Sequence, residues 1–254
     1  MNIRTEKLLG RFVCMVLISL LWLTGCATAR YKPESFGPSK KYAIVSIVTL
    51  PEIIDLGSGS ARGQGRSASG LIKAISKDSG YSNNSDIIFK DTLPLILKEF
   101  HTSKNFTLLP EENILKSKTY ADISGDEPKV LWQEYVTAEK YKYLSDKEKL
   151  SKLARHLKVE GVVTINLTYG FAFRGVGLFG LVAAGYHHGV AIITVSATDK
   201  TGDIIWRDMV RAESDDSIGA VGESVNFKKL HPLLKDVTVK ATKQLLERLK
   251  DKVS

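Results

Sequence analysis

The pattern of apolar and polar positions predicts four elements in the first half of the chain. Residues 42–50 form a nearly continuous β-branched run, which is typical of a strand buried on both faces. Residues 86–102 repeat apolar side chains at helical spacing, and Pro94 predicts either a kink or the true first turn. A short strand is expected at residues 106–109 and a small helix at residues 111–118.

The next helix is indicated by its start and by its apolar stripe. Ser145 and Glu148 match a capping box, in which two side chains bond the free backbone N–H groups at a helix start. Apolar residues follow at positions i, i+3, i+4 and i+7: Leu150, Leu153, Ala154 and Leu157. The sequence therefore predicts an amphipathic helix that packs one face on a core.

Three strands and a last helix are predicted after it. Residues 162–173 alternate, so that one face of the strand belongs to the core and the other is more polar. Residues 190–198 and 203–212 predict two strands joined by a turn at residues 199–202, where Asp and Gly suit the turn positions. The last helix is predicted to hold Pro232 in its first turn.

The predicted order is β-α-β-α-β-β-β-α, an α/β (α+β) fold in which helices pack against a mixed β-sheet. The chain has 254 residues, 43% of them apolar and 25% charged, which is enough to bury the core of one domain. We expect this single domain to cover residues 41–250, with a polar Gly/Ser-rich insertion at residues 57–85.

The start of the chain has a different pattern. Three basic residues precede an apolar run at residues 12–23, and small residues follow, as in an export signal. The run is shorter than the roughly 20 residues that a helix needs to cross a bilayer. At its end, Leu23-Thr24-Gly25-Cys26 resembles the lipobox of bacterial lipoproteins. This resemblance implies that residues 1–25 are a signal peptide and that Cys26 is lipidated.

Lipidation at Cys26 has consequences for chemistry and for location. Cys14 would leave with the signal peptide, so no free thiol would remain for a disulfide, a metal or catalysis. Several acyl chains would make the anchor effectively permanent. Ala27 stands where inner-membrane lipoproteins of the enteric type typically carry Asp, so the resemblance implies the periplasmic face of the outer membrane. Residues 26–40 are then expected to be the lipidated cysteine and a flexible tether.

The positive net charge has a different interpretation in a protein of the cell envelope. The formal net charge is +8, and removal of three cations and one acid with residues 1–25 leaves +6. Outside the cytoplasm we expect no nucleic acid partner. The charge favours anionic lipid headgroups, cell-wall polymers or an acidic protein, or it belongs to an ordinary solvated surface.

Several segments of the folded part together resemble a group of envelope lipoproteins. They are LARHL at residues 153–157, GVV at residues 161–163 and ATDKTGDIIW at residues 197–206, followed by the closing helix. The group includes the curli secretion lipoprotein, activators of penicillin-binding proteins and auxiliary lipoproteins of ABC-type transport systems. Its domain is similar to the amino-terminal domain of the Tol system's propeller protein. The insertion at residues 57–85 departs from the pattern and leaves the subgroup open.

Motifs for catalysis, metals or cofactors are not found. The Gly/Ser-rich run at residues 57–67 follows a strand but lacks both the P-loop ending and the dinucleotide-fold spacing. His187 and His188 are adjacent, so their side chains point to opposite faces of an extended segment, and no ligating residue lies nearby in sequence. We interpret them as a polar hairpin tip rather than a metal site. No catalytic residue, metal or cofactor is predicted.

An apolar, Gly-rich segment at residues 171–189 links two predicted strands with almost no charge. Either it folds back over the sheet, or it presents apolar side chains to a neighbouring subunit, a partner or lipid. We favour a contact surface. Its candidate partner-binding residues are Val176, Leu178, Phe179, Leu181 and Tyr186.

The sequence thus favours a non-enzymatic, lipid-anchored periplasmic protein. It is expected to dock onto an envelope complex for transport or cell-wall synthesis, which it assembles or regulates. The alternative is a subunit of an oligomeric outer-membrane secretion channel resembling the curli secretion lipoprotein. That function would need long alternating hairpins, and the polar insertion at residues 57–85 lacks this alternation. A homo-oligomer is compatible with both interpretations.

Overall fold

The structure, a computed structural model, describes residues 29–57, 83–130, 133–178, 181–220 and 225–253. The predicted signal peptide, Cys26 and most of the predicted insertion at residues 57–85 lie outside the described residues. No helix in the described ranges is long and apolar enough to cross a membrane.

The predicted fold class is confirmed: the described chain is a mixed α/β domain. Its strands are β1 (Arg30–Tyr31), β2 (Lys41–Thr49), β3 (Ile54–Asp55), β4 (Thr107–Leu108), β5 (Lys129–Val130), β6 (Gln133–Glu134), β7 (Val136–Thr137), β8 (Gly161–Leu178), β9 (Leu181–Asp199) and β10 (Ile204–Ala220). Its α-helices are α1 (Asp86–Thr102), α2 (Glu111–Leu115), α3 (Lys118–Asp122), α4 (Lys147–His156) and α5 (Phe227–Val253).

Eight of these strands form one sheet, whose main path runs β1-β10-β9-β8-β2-β4. β2 pairs in parallel with β8 and β4, whereas β8, β9 and β10 form an antiparallel meander that β1 extends at the edge. β3 pairs with β8 and β7 with β2, while β5 and β6 form a separate small hairpin. The parallel pairs explain why β2 is buried along almost its whole length.

The larger core lies between one face of the sheet and the helices α1 and α5. Aromatic rings fill it: Phe36 stacks on Tyr42 with ring centroids 5.3 Å apart, and the fully buried Trp206 packs edge-on against Phe36. The second face is covered near β2 by α2, α3 and α4, with a smaller core around Leu153 and Val162. Helices therefore lie on both faces, but the cover of the second face is only partial.

The chain joins the domain earlier than the sequence predicted. Arg30 and Tyr31 pair with β10, and the Tyr31 hydroxyl donates to Asp208 at 2.6 Å. The Tyr42 hydroxyl donates to the backbone oxygen of Ser35 at 2.9 Å, and Phe36 belongs to the core. Much of the segment expected to be a tether at residues 26–40 is thus part of the fold, because these two hydroxyls and one ring fasten it.

Two predicted helix starts are wrong by a few residues. Asp146, not Ser145, caps α4, since its side chain accepts from the Lys149 amide at 2.9 Å. α5 begins at Phe227, so Pro232 lies in the second turn, and Asn226 accepts from the Lys229 amide. In both cases the capping side chain that reaches the third helical amide decides the start.

Pro94 also lies inside a helix. α1 covers residues 86–102 as predicted and passes through this proline, so the alternative that Pro94 marks its first turn is wrong.

Candidate interaction surface

The strands β8, β9 and β10 have 18, 19 and 17 residues, whereas their neighbour β2 has nine. Because helices α2–α4 sit near β2, the same face of the three long strands stays uncovered farther away. We call this surface the open face. It consists of Thr164, Asn166, Thr168 and Arg174 on β8, Tyr186, Ile192, Thr194 and Ser196 on β9, and Arg207, Met209 and Arg211 on β10.

The open face follows from the alternation of side chains along each strand. Thr164, Asn166 and Thr168 are exposed or half-buried, while their neighbours Ile165 and Leu167 are in the core. The predicted polar face of this strand is therefore confirmed. What the sequence alone did not reveal is that the helices of the described chain leave most of this face uncovered, with only the start of α4 beside Thr164.

Beyond the last pairing with β3 at Phe171, β8 and β9 continue as a hairpin, which we call the outer arm (residues 172–178 and 181–189). This contradicts the prediction of a link at residues 171–189. Seven further residues of β8 extend the arm by about 20 Å. The first predicted strand ended too early and the second began too late because glycines interrupted the β-branched pattern.

Those glycines have a steric role in the arm. Gly175 and Gly185 face each other across the two strands, and the Phe173 ring lies over both. A Cβ atom at Gly175 or Gly185 would stand 2.4 Å or 2.3 Å from the Phe173 Cζ atom. Only glycine leaves room for the Phe173 ring at these two positions. The ring in turn shields the glycine backbone, which has no side chain of its own to cover it.

His187 and His188 do not form the polar hairpin tip that the sequence predicted. Both lie within β9, and His187 is buried with its ring 5.3 Å from that of Phe171 and 5.2 Å from that of Phe173. His188 points to the other face, as expected for neighbours in a strand, and its Nδ1 is 3.1 Å from the backbone oxygen of Ser214. Within the described residues no group of three or more His, Cys, Asp or Glu could hold a metal ion.

A charged cluster lies where the arm meets the rest of the open face. Arg174 donates two hydrogen bonds to Glu213, at 2.8 Å and 3.0 Å, and Arg211 lies 3.8 Å from the same carboxylate. The hydrogen bond from Arg174 is the main reason why the pKa of Glu213 is lowered, and the positive charges of Arg174 and Arg211 add to it. One acid thus serves several cations, and the open face is basic.

The predicted partner-binding residues lie on or near this arm. Val176 and Leu178 are in strand β8, Leu181 is in strand β9, and Phe179 lies outside the described residues. Tyr186 is 58% exposed on the open face and is the register partner of Arg174. Met209, which the sequence analysis did not single out, is 51% exposed on the same face.

The structure is similar to two solved structures at low TM-scores. The C-terminal domain of LpoB from Salmonella enterica has a TM-score of 0.31 and 14% identity, covering 77% of this chain and 91% of that chain. A neuraminyllactose-binding hemagglutinin homologue from Helicobacter pylori has a TM-score of 0.39 and 10% identity, covering 85% and 90%. No protein-family model and no curated protein match the sequence. Similarity at this level carries no information on activity or partners.

Proposed function

We propose that this protein is a lipid-anchored envelope protein without catalytic activity, which binds and assembles or regulates an envelope complex through its open face. The anchor is Cys26, and the location is the periplasmic face of the outer membrane. The complex belongs to transport or cell-wall machinery. The lipobox at residues 23–26 supports the anchor and the location.

One observation carries the binding proposal. In the described residues, three large apolar side chains are exposed: Ile87, Tyr186 and Met209. Two of the three, Tyr186 and Met209, lie on the open face together with three arginines, two of which share the single acid Glu213. Aromatic residues, Met and Arg are the types enriched at protein interfaces. A broad sheet face of this composition suits a partner surface that is acidic at its rim and apolar at its centre.

In-cell crosslinking tests the binding surface. A photo-crosslinking amino acid at Tyr186 or Met209 should yield adducts with an envelope protein, identified by mass spectrometry. The same amino acid at Ile87, which is 41% exposed on α1, is the matched control and should not give those adducts. Equal adducts from all three positions would contradict a specific open-face interface. Adducts only with a second copy of the chain would favour the channel-like alternative.

The anchor is tested separately. Cys26→Ala should release the protein from outer membranes or mislocalise it without unfolding the domain, because the described core is formed by later residues. Fractionation of membranes, with circular dichroism of the purified variant as the folding control, measures both. A variant that still sediments with outer membranes would contradict the anchor while leaving the crosslinking result intact.

A further inference from the structure

A groove of 350 Å³ lies at the end of the open face that is nearest to strand β1. The start of α4 forms one wall, and the strands β8, β9 and β10 form the floor. Three cations line it, Arg30, Lys147 and Arg207, and all three are exposed. Polar floor residues able to hydrogen-bond an oxyanion complete the lining: Thr164, Asn166 and Ser196.

The two arginines stand directly opposite each other. Arg30 on β1 is the register partner of Arg207 on β10, so both side chains leave the same face of the sheet. Like charges in this position destabilise a strand pair unless an anion lies between them. Across the described residues, neither arginine nor Lys147 forms an ion pair, and Asp203, the acid at the groove, lies 3.3 Å from the Lys32 ammonium.

A second depression differs from the groove in the pairing of its cations. It has a volume of 530 Å³ and runs along α5. Its cations are neutralised: Lys240 lies 2.6 Å from Asp215, and Lys243 lies 3.8 Å from Glu99. The cations of this depression are thus paired with acids, whereas Arg30, Lys147 and Arg207 form no ion pair in the described residues.

We infer that this groove binds phosphate groups of anionic lipid headgroups and thereby holds the domain in one orientation on the membrane. The inference rests on the proposed lipidation of Cys26. Arg30 follows that cysteine by four residues, which span at most about 14 Å. Because β1 fastens Arg30 to the sheet, the groove stays near the headgroup layer. Guanidinium groups suit phosphate because they donate paired hydrogen bonds in a fixed plane.

Arginine footprinting tests the inference on the full protein, purified from membranes as the cell processes it. The protein is placed in vesicles of phosphatidylcholine, or of phosphatidylcholine with phosphatidylglycerol, and phenylglyoxal modification is followed residue by residue with mass spectrometry. Attraction to an anionic membrane surface raises the binding constant about fivefold for each Lys or Arg that lies near it. Arg30 and Arg207 should therefore react about fivefold more slowly in the anionic vesicles. Arg155, exposed on α4 and outside the groove, should react equally in both.

Variants and a free anion separate the explanations. Arg207→Gln should return the reaction of Arg30 toward its rate in neutral vesicles, whereas the control Lys152→Gln, at an exposed position on α4, should leave it slow. Equal slowing by inorganic phosphate in neutral vesicles would overturn the lipid as the source. Equal rates in both vesicle types would overturn the lipid headgroup as the occupant of the groove and would favour an acidic protein instead.

The N-terminal mass of the same sample reports the acylation independently. Unacylated protein would refute the anchor of the proposed function. Acylated protein whose arginines react equally in both vesicle types would refute only the headgroup site.

Discussion

Tyr31→Phe is the perturbation that best tests how the N-terminal segment is held. The Tyr31 hydroxyl donates to the Asp208 carboxylate at 2.6 Å, and Asp208 is only 5% exposed. The other carboxylate oxygen accepts from the Met209 amide at 2.8 Å. Burial first, and the contact with Asp208 next, raise the pKa of Tyr31, so the hydroxyl keeps its proton and remains a donor.

Loss of this hydroxyl leaves one oxygen of a buried carboxylate without its donor. A hydrogen bond to a charged group contributes about 1.5–3 kcal/mol, so we expect the free energy of unfolding to fall by that amount. The ring of the new Phe keeps its packing, since Tyr31 is partly buried against the main core. The effect on the local opening of β1 should be larger than the effect on global unfolding, because β1 has only two residues and opens first.

Urea unfolding and limited trypsinolysis measure the two effects. The expected loss of stability predicts roughly ten- to hundredfold faster cleavage after Arg30. Tyr186→Phe is the matched control, because its hydroxyl makes no hydrogen bond in the described residues and should change neither quantity. If Tyr31→Phe unfolds at the same urea concentration and is cleaved at the wild-type rate, the hydrogen bond to Asp208 does not hold β1.

Two further predictions concern acid stability and the arm. Partial burial raises the pKa of Asp126, but hydrogen bonds from Lys149 and from nearby residues lower it to about 2. The ionised carboxylate therefore contributes about 1 kcal/mol to the free energy of unfolding. This contribution is complete above about pH 4 and is lost as the pH falls through 2. Asp126→Asn should remove this part of the pH dependence in urea unfolding, and an unchanged acid limb would contradict it. Gly185→Ala should cost about 1–3 kcal/mol in thermal unfolding because its Cβ would meet the Phe173 ring. Gly219→Ala, with no atom within 4 Å of its Cβ, should not, and equal losses would refute the steric role.

Residues with strong local signals were predicted well. The β-branched run at 42–50 became β2, and helix α1 has the bounds that the periodicity gave. The predicted turn at residues 199–202 is also confirmed, since Gly202 has a φ of +87° and its amide donates to the Asp199 oxygen at 3.0 Å. In each case the preference lies in the segment's own side chains or backbone, and tertiary packing agrees with it.

The candidate surface was predicted only in part. The segment at residues 171–189 was singled out for its composition, yet its extended conformation was missed because Gly weakens any strand pattern. Its strand geometry depends on Phe173, whose ring covers two glycines on different strands. The lipidation of Cys26 stays a prediction, as does the binding role of Val176, Leu178, Phe179, Leu181 and Tyr186.

By itself, the sequence determined the alternation of faces and the order of the main elements, because each depends on neighbouring residues. Only the tertiary structure decided which face stays uncovered, where the chain joins the sheet, and which charges meet. Arg30 and Arg207 are far apart in the chain and become register partners only through the pairing of β1 with β10. Contacts of that kind depend on the closure of long loops around a common core, and no local pattern encodes them.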